Sequence, residues 1–247
     1  MVLLAGGSGT RMGLDGNKVY LPLAGRPALA FPLATLSAAA DVAVIVIVAR
    51  AGDEAAVEDV LAQVRSPKVG AVVPGGVTRH ASEQAGLAAV RSLMAAGVEV
   101  AHILVHDGAR PFVTLDLLAA LMTAARRVGG AIPALPLPTT VFVADGACVT
   151  PRVAADLVTV QTPQVFRADA LLAAYAAALT EDFDGVDTAQ VVEHYAAHLP
   201  APVAVAAVPG DERNLKVTTP ADIDVAEHLA GLFTDGRWRD RPGPQPS

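Results

Sequence analysis

The stretch Met1-Val2-Leu3-Leu4-Ala5-Gly6-Gly7-Ser8-Gly9-Thr10-Arg11-Met12-Gly13 decides how the rest of the chain is read. A short apolar run breaks directly into small residues, the pattern of a buried strand that feeds a phosphate-type loop. Glycines permit positive φ and close approach of backbone to ligand. Successive N–H groups form an anion-binding nest, and in an open α/β sheet ligands lie outside the carboxyl ends of the strands. Two familiar loops are excluded residue by residue. The dinucleotide fingerprint G-x-G-x-x-G fits Gly7 and Gly9 but puts Met12 at its last glycine, and the second apolar run ends in Val48-Ala49-Arg50 without an acid for the ribose. A Walker A loop needs Gly-Lys-Ser/Thr, whereas Gly16 is followed by Asn17, Lys18 and Val19. What remains is a different phosphate loop with two cations beside it, Arg11 and Lys18.

Outward from this loop, β-branched apolar runs alternate with Ala- and Leu-rich stretches. Met1–Leu4, Val42–Val48, Val69–Val73, Ile103–His106, Ala131–Leu135 and Val203–Val208 predict strands. Ala28–Ala40, Asp53–Val64, Ser82–Met94, Leu115–Val128, Ala168–Leu179 and Pro220–Leu232 predict helices. Short, continuously apolar strands separated by longer helices indicate a Rossmann-like α/β fold: an open, mostly parallel sheet with helices on both faces. The last helix has its start written out, with Thr219 as N-cap, Pro220 at the first position and Asp222 in the first turn. Residues 139–159 break the rhythm. Weak β character with turns at Asp145-Gly146 and Thr150-Pro151 predicts a hairpin arm standing off the sheet. Residues 1–235 read as one domain, and the Pro-rich polar stretch 236–247 reads as a disordered tail.

Composition narrows the function classes. Of 247 residues, 53% are hydrophobic and only 4% aromatic, so Ala, Val and Leu must build the core. A net charge of −7 disfavours a nucleic-acid partner, which would select basic faces. Cys148 is the sole cysteine, so no intrachain disulfide forms and a reducing cytoplasmic setting fits. No signal peptide is evident. The apolar run Val42–Ala49 falls well short of the roughly 20 residues that span a bilayer, so no membrane association is expected.

Further polar clusters sit at or near other predicted strand ends. These are Gly75-Gly76 with Arg79 and Ser82, then Val105-His106-Asp107-Gly108-Ala109-Arg110-Pro111-Phe112, then Gln161-Thr162-Pro163-Gln164-Val165-Phe166, and last Asn214-Leu215-Lys216-Val217-Thr218-Thr219-Pro220-Ala221-Asp222. Asp107 directly follows a buried strand, where a carboxylate is costly unless it is used. His106 lacks a second ligand at metal spacing and reads as structural. His80, His194, His198 and His228 read as solvated or helix-surface groups, Asp184 and Asp187 as helix-start residues, and Cys148 as a small hydrophobe or surface thiol with no base beside it.

Taken together, AGGSGTRMG, NKVYLPLAGRP, VHDGARPF, QTPQVF and NLKVTTPAD resemble the 2-C-methyl-D-erythritol 4-phosphate cytidylyltransferases and their relatives, the ribitol 5-phosphate cytidylyltransferases, over roughly residues 1 to 232. The resemblance implies transfer of CMP from CTP to a polyol phosphate with magnesium. Ala5, Gly6, Gly7, Ser8 and Gly9 would wrap the CTP phosphates and part of the base. Arg11 and Lys18 would stabilise charge on the α-phosphate. Gly76 and Ser82 would lie against cytosine and ribose, and Asp107 would hold magnesium or the ribose side. Arg110 would shape the polyol-phosphate pocket, Lys216 would position the incoming phosphate, and Thr140 would reach from the hairpin across a homodimer.

Three positions depart from the family's pattern. Val77 stands where an acid often follows the double glycine. Ala154 stands where a hairpin Arg is usual, with Arg152 as the replacement after re-registration. Val186-Asp187 stands where Thr-Asp is common. Methylerythritol phosphate is the leading acceptor. A ribitol phosphate enzyme, a non-catalytic nucleotide-binding homologue and a uridylyl- or guanylyltransferase acting on sugar 1-phosphates are the alternatives.

Overall fold

The computed structural model describes residues 1–7, 17–137, 141–145, 148–152 and 157–234, with 141–145 and 148–152 described as backbone. The chain begins with β1 (Val2–Ala5). After a 3-10 turn at Lys18–Tyr20 come the short ribbon β2 (Pro22–Leu23) and β3 (Arg26–Pro27), then α1 (Ala30–Ala38), β4 (Ile45–Ala49), α2 (Glu54–Val64), β5 (Val69–Pro74), α3 (Arg79–Ala95) and β6 (His102–Asp107). It continues through α4 (Leu115–Val128), β7 (Gly129–Pro136), β8 (Val141–Asp145), β9 (Cys148–Arg152), β10 (Val158–Val160) and β11 (Gln164–Arg167). It closes with α5 (Ala168–Glu181), α6 (Thr188–His194), β12 (Ala204–Pro209) and α7 (Pro220–Thr234).

The main sheet has eight strands in the order β10-β7-β11-β6-β1-β4-β5, with β12 also paired to β7. Strands β5, β4, β1 and β6 run parallel, and β12 runs parallel to β7. From β1 the chain moves first toward β4 and β5, then crosses to β6 on the other side, so β1 is the switch point where such sheets open a crevice. Register brings the loops together. Ala5 lies beside Ala49, Ala49 beside Pro74, and Leu4 beside Asp107, so the segments after all four strands leave from one edge.

Alternating strand residues feed two cores, as the two-residue period of a strand dictates. Leu3, Ile45, Ile47 and Leu104 pack with Leu33 and Leu36 of α1, Val60 of α2 and Leu118 and Leu121 of α4. Val2, Val46, Val48 and Val105 pack on the opposite face with Leu87 and Val90 of α3, Leu171 of α5 and Val191 of α6. A third cluster joins α7, through Ala226 and Ala230, to Leu23, Phe31 and Phe112. The Rossmann-like fold expected from the sequence is the one observed.

The structure corrects four details. Gln164–Arg167 is a strand, and it runs antiparallel between β6 and β7, which makes the sheet mixed on that side. Val158 and Thr159, which the sequence puts in the hairpin arm, belong with Val160 to a strand that pairs antiparallel with β7 in the main sheet. The hairpin proper is β8 and β9, which pair with each other in a sheet of their own from Val141↔Arg152 to Asp145↔Cys148. Residues 188–194 form α6, which the sequence reading did not identify. No helix among the described residues is long and apolar enough to cross a membrane.

Candidate active site

Asp107 ends β6 at the crevice and is buried. Three cations converge on its carboxylate: Lys216 Nζ at 2.8 Å, Arg79 Nη2 at 3.4 Å and Arg110 Nε at 4.0 Å. Burial by itself would raise the Asp107 carboxyl, but Arg79, Lys216 and Arg110 outweigh it and hold the group well below the usual carboxylate range. The site therefore presents one fixed anion inside a positive collar. Among the described residues no group of three or more His, Cys, Asp or Glu side chains is arranged to hold a metal ion.

Each member of the collar is positioned from a different element. Arg79 opens α3, whose N-cap Thr78 accepts from the Ala81 N–H through its hydroxyl. Arg110 follows the turn after β6 and donates to the Asn214 carbonyl at 2.8 Å. Lys216 comes from the segment before α7, where the Val217 N–H donates to the Ala109 carbonyl at 2.8 Å. Gly108 lets the turn after Asp107 press against β1. Its N–H donates to the Leu4 carbonyl at 2.8 Å, and a Cβ there would lie 2.7 Å from Leu29 Cδ1 and 2.8 Å from that same oxygen.

On the other flank, Gly6 and Gly7 leave β1 next to the Gly75-Gly76 turn. Ser82 ties that turn to α3. Its hydroxyl accepts from the Gly76 N–H at 3.2 Å and lies within bonding distance of the Gly76 and Thr78 carbonyls. A Cβ on Gly76 would meet Ala81 Cβ at 2.4 Å, so the tight passage over the helix start requires glycine. Val77 follows with its side chain fully in solvent.

Asn17 closes the base of the first loop: its Nδ2 donates to the Ala5 carbonyl at 2.6 Å and to Asp53 Oδ2 at 2.9 Å. Its Oδ1 accepts from the Val19 N–H and so caps the 3-10 turn that carries Lys18. Lys18 lies within electrostatic reach of Asp222 on α7. Burial would raise that carboxyl, but the Thr219 and Thr218 N–H groups, the Thr219 hydroxyl and the Lys18 charge together lower it.

The Gln161-Thr162-Pro163-Gln164 segment is a polar seam behind the collar. Gln161 donates to the Asp211 and Asn214 carbonyls and accepts from the Asp211 N–H. Asn214 donates to the Thr162 carbonyl. Gln164 bonds Asp187 and the Ala189 N–H at the start of α6. Thr162 Oγ1 accepts from the Asp107 N–H at 3.0 Å and lies 3.0 Å from His106 Nδ1. His106 Nε2 is 3.1 Å from the Arg110 carbonyl, so Nε2 carries the proton and donates to it, and Nδ1 accepts from Thr162. Burial lowers the His106 pKa to about 4, against weaker raising effects from Asp107 and the Arg110 carbonyl. With both nitrogens occupied, it is a structural histidine, as its spacing suggested.

The structure thus gathers Ala5, Gly6, Gly7, Gly76, Ser82, Asp107, Arg110 and Lys216 along one edge, with Lys18 on the adjoining turn. Arg152 terminates β9, paired with Val141. Ser8, Gly9, Arg11, Thr140 and Ala154 lie outside the described residues. His80 is corrected: it is buried and stacks on Tyr175 at 4.8 Å, not solvated. Asp187 does cap α6, accepting from the Ala189 N–H, but Asp184 lies before that helix and accepts from Thr78 Oγ1. The sequence assigns no role to Arg79, Gln161 and Asn214, which lie in its strand-end clusters, nor to Asn17 and Glu83. The i,i+4 spacing of Arg79 and Glu83 on one helix face was the available signal for that pair.

A doubly wound sheet with a glycine-led, cation-rich rim at its switch point defines a nucleotidyltransferase of the Rossmann-like class. The family model for 2-C-methyl-D-erythritol 4-phosphate cytidylyltransferase matches residues 1–231. Relatives bearing that name are 39% identical over 232 residues in Cereibacter sphaeroides, covering 94% of this chain and 96% of the relative, and 37% identical over 229 residues in Geobacillus kaustophilus, covering 92% and 95%. The crystal structure of the Thermus thermophilus enzyme of that name superposes with a TM-score of 0.69 at 34% identity, covering 93% of this chain and 98% of that one. That of 4-diphosphocytidyl-2C-methyl-D-erythritol synthase from Anaerococcus prevotii gives 0.75 at 28% identity, covering 93% and 94%. The chain belongs to the 2-C-methyl-D-erythritol 4-phosphate cytidylyltransferase family.

Proposed function

We propose that this protein transfers CMP from CTP to 2-C-methyl-D-erythritol 4-phosphate and releases pyrophosphate. The observation that carries the reading is the convergence of Arg79, Arg110 and Lys216 on Asp107 at the carboxyl edge of β1 and β6. A phosphate oxygen of the acceptor attacks the α-phosphorus of CTP, a new P–O bond forms, and the bond to the β-phosphate oxygen breaks with its electron pair leaving on pyrophosphate. The attacking oxygen is already anionic, so no general base is needed, and the engagement of both His106 nitrogens accords with that. The barrier is electrostatic and positional. On this reading the Ala5–Gly9 loop is assigned to the phosphates, Arg11 and Lys18 to the charge that develops on the α-phosphate, and Lys216 exchanges Asp107 for the acceptor phosphate. Arg110, Thr140 and Arg152 are assigned to the acceptor side, and Gly76 and Ser82 to cytosine and ribose.

The donor set fits a magnesium ion held mainly by substrate phosphates. Asp107 is an ionised carboxylate at the rim, and one or two carboxylates plus phosphates are what this ion ordinarily uses. When bound, magnesium supplies charge neutralisation on the triphosphate. The hairpin of β8 and β9 stands as a separate ribbon, which supports an arm that pairs two copies into a homodimer. The cytoplasm is the setting that fits a chain with one cysteine.

The test is magnesium-dependent pyrophosphate release from CTP, UTP, GTP and ATP, each with methylerythritol 4-phosphate and ribitol 5-phosphate. Release with CTP and methylerythritol phosphate is expected, and release only with ribitol phosphate would reassign the acceptor. Lys18→Ala should lower kcat on the order of 100-fold, and an unchanged kcat would remove Lys18 from the mechanism.

A further inference from the structure

Glu83 is a carboxylate with no exposed surface, one helical turn after Arg79 on α3. A buried charge of this kind persists only when it is paired and hydrogen-bonded, and Glu83 is surrounded accordingly. Arg79 Nη1 lies 2.6 Å from its Oε1. Thr188, the first residue of α6, donates its hydroxyl at 2.6 Å, and the Tyr175 hydroxyl of α5 donates to Oε2. Tyr175 is in turn held by the stacked His80 ring. Three helices therefore fix the position of one carboxylate beneath the crevice.

Arg79 links that carboxylate to the rim, with Nη1 on Glu83 and Nη2 toward Asp107 Oδ1. A tie between helices alone would not require charge, since neutral side chains of similar volume fill such places as well or better. A cation that must be held at a set angle does require it. We propose that Glu83 is a positioning residue that aims Arg79 into the nucleotide site and thereby sets the collar around Asp107. This deepens, and rests on, the reading of the crevice as a cytidylyl-transfer site.

Glu83→Gln keeps the shape and one of the two oxygens that accept from Thr188 and Tyr175, turns the other into an NH2 that can only donate, and removes the charge that holds Arg79. In the full chain it should lower kcat/KM for CTP about 10-fold, in line with the cost of misplacing a group at a preorganised site. On an Arg79→Ala background the same substitution should change kcat/KM less than about twofold, because the group it acts through is gone. Unchanged kcat/KM in the single variant, or effects that multiply in the double variant, would overturn the proposal. Should Glu83→Gln fail to fold, Tyr175→Phe removes one bond to Glu83 and should give about a threefold loss that disappears on Arg79→Ala. A loss that persists there would count equally against it. A crystal structure of Glu83→Gln, or of Tyr175→Phe in its place, reads the positioning with no substrate present: Arg79 withdrawn from Asp107 is expected, and Arg79 unmoved overturns the idea. Wild-type protein that releases no pyrophosphate would overturn the functional reading alone, since the position of Arg79 is read independently of turnover.

Discussion

Along β5, β4, β1 and β6 the rim is made of backbone, whereas across β11 and the 211–217 segment it is made of amide side chains. On the parallel side, Gly6, Gly76 and Gly108 let main chain press on main chain, and the charged groups ride on those turns. On the antiparallel side, Gln161, Gln164 and Asn214 bridge carbonyls and N–H groups that no strand ladder satisfies. The first kind of construction is broken by adding a methyl group, the second by removing an amide. His106 stands where the two meet, on β6 but bonded to Thr162.

The largest effect is expected at that junction. An unfolded histidine takes up its proton near 6.5, the folded His106 only near 4. Between those values the unfolded state binds more protons, so stability falls as pH drops through the window, by about 3 kcal/mol over its full width. Urea midpoints from pH 7 to 4.5 should show this slope, and it should flatten in His106→Asn. An equal slope in the variant would place the acid sensitivity elsewhere.

Gly76→Ala tests the backbone side. The added Cβ has Ala81 at 2.4 Å with nowhere to go, so the turn must shift. A stability loss of about 2 kcal/mol is expected by chemical denaturation, together with weaker CTP binding by calorimetry. Wild-type values for both would show that the turn yields freely. Asn214→Ala tests the amide side. It strands the Thr162 carbonyl and should cost about 1–2 kcal/mol, with KM for the acceptor rising because Lys216 is two residues on. A rise in the CTP KM alone would mean that the amide seam serves the nucleotide instead.

The same contrast explains what the sequence made legible. The parallel strands are continuous apolar runs bounded by glycine, and β1, β5 and β6 lie within a residue of their expected limits. The predicted limits of α4, Leu115–Val128, match the observed helix. The four-residue β11 carries a buried Gln164 and follows a proline, so it shows neither a long apolar run nor clean alternation. The seven-residue α6 is too short to show a helical period. Asp107 was readable because it directly follows a buried apolar strand, and Arg110 and Lys216 through the resemblance of the motifs that carry them. Glu83 was not, since Tyr175 and Thr188 lie 92 and 105 residues away and only packing brings them over it. His80 escaped for the same reason: its partner Tyr175 belongs to another helix.

Val77 has an optical use. Its side chain stands wholly in water immediately after the glycine that passes over the start of α3, and it supports nothing behind it. A thiol-reactive dye attached at Val77→Cys would sit at the mouth of the crevice without disturbing either core. Its emission would then register the arrival and departure of nucleotide in real time, and with only one native cysteine to remove, the labelling would be specific.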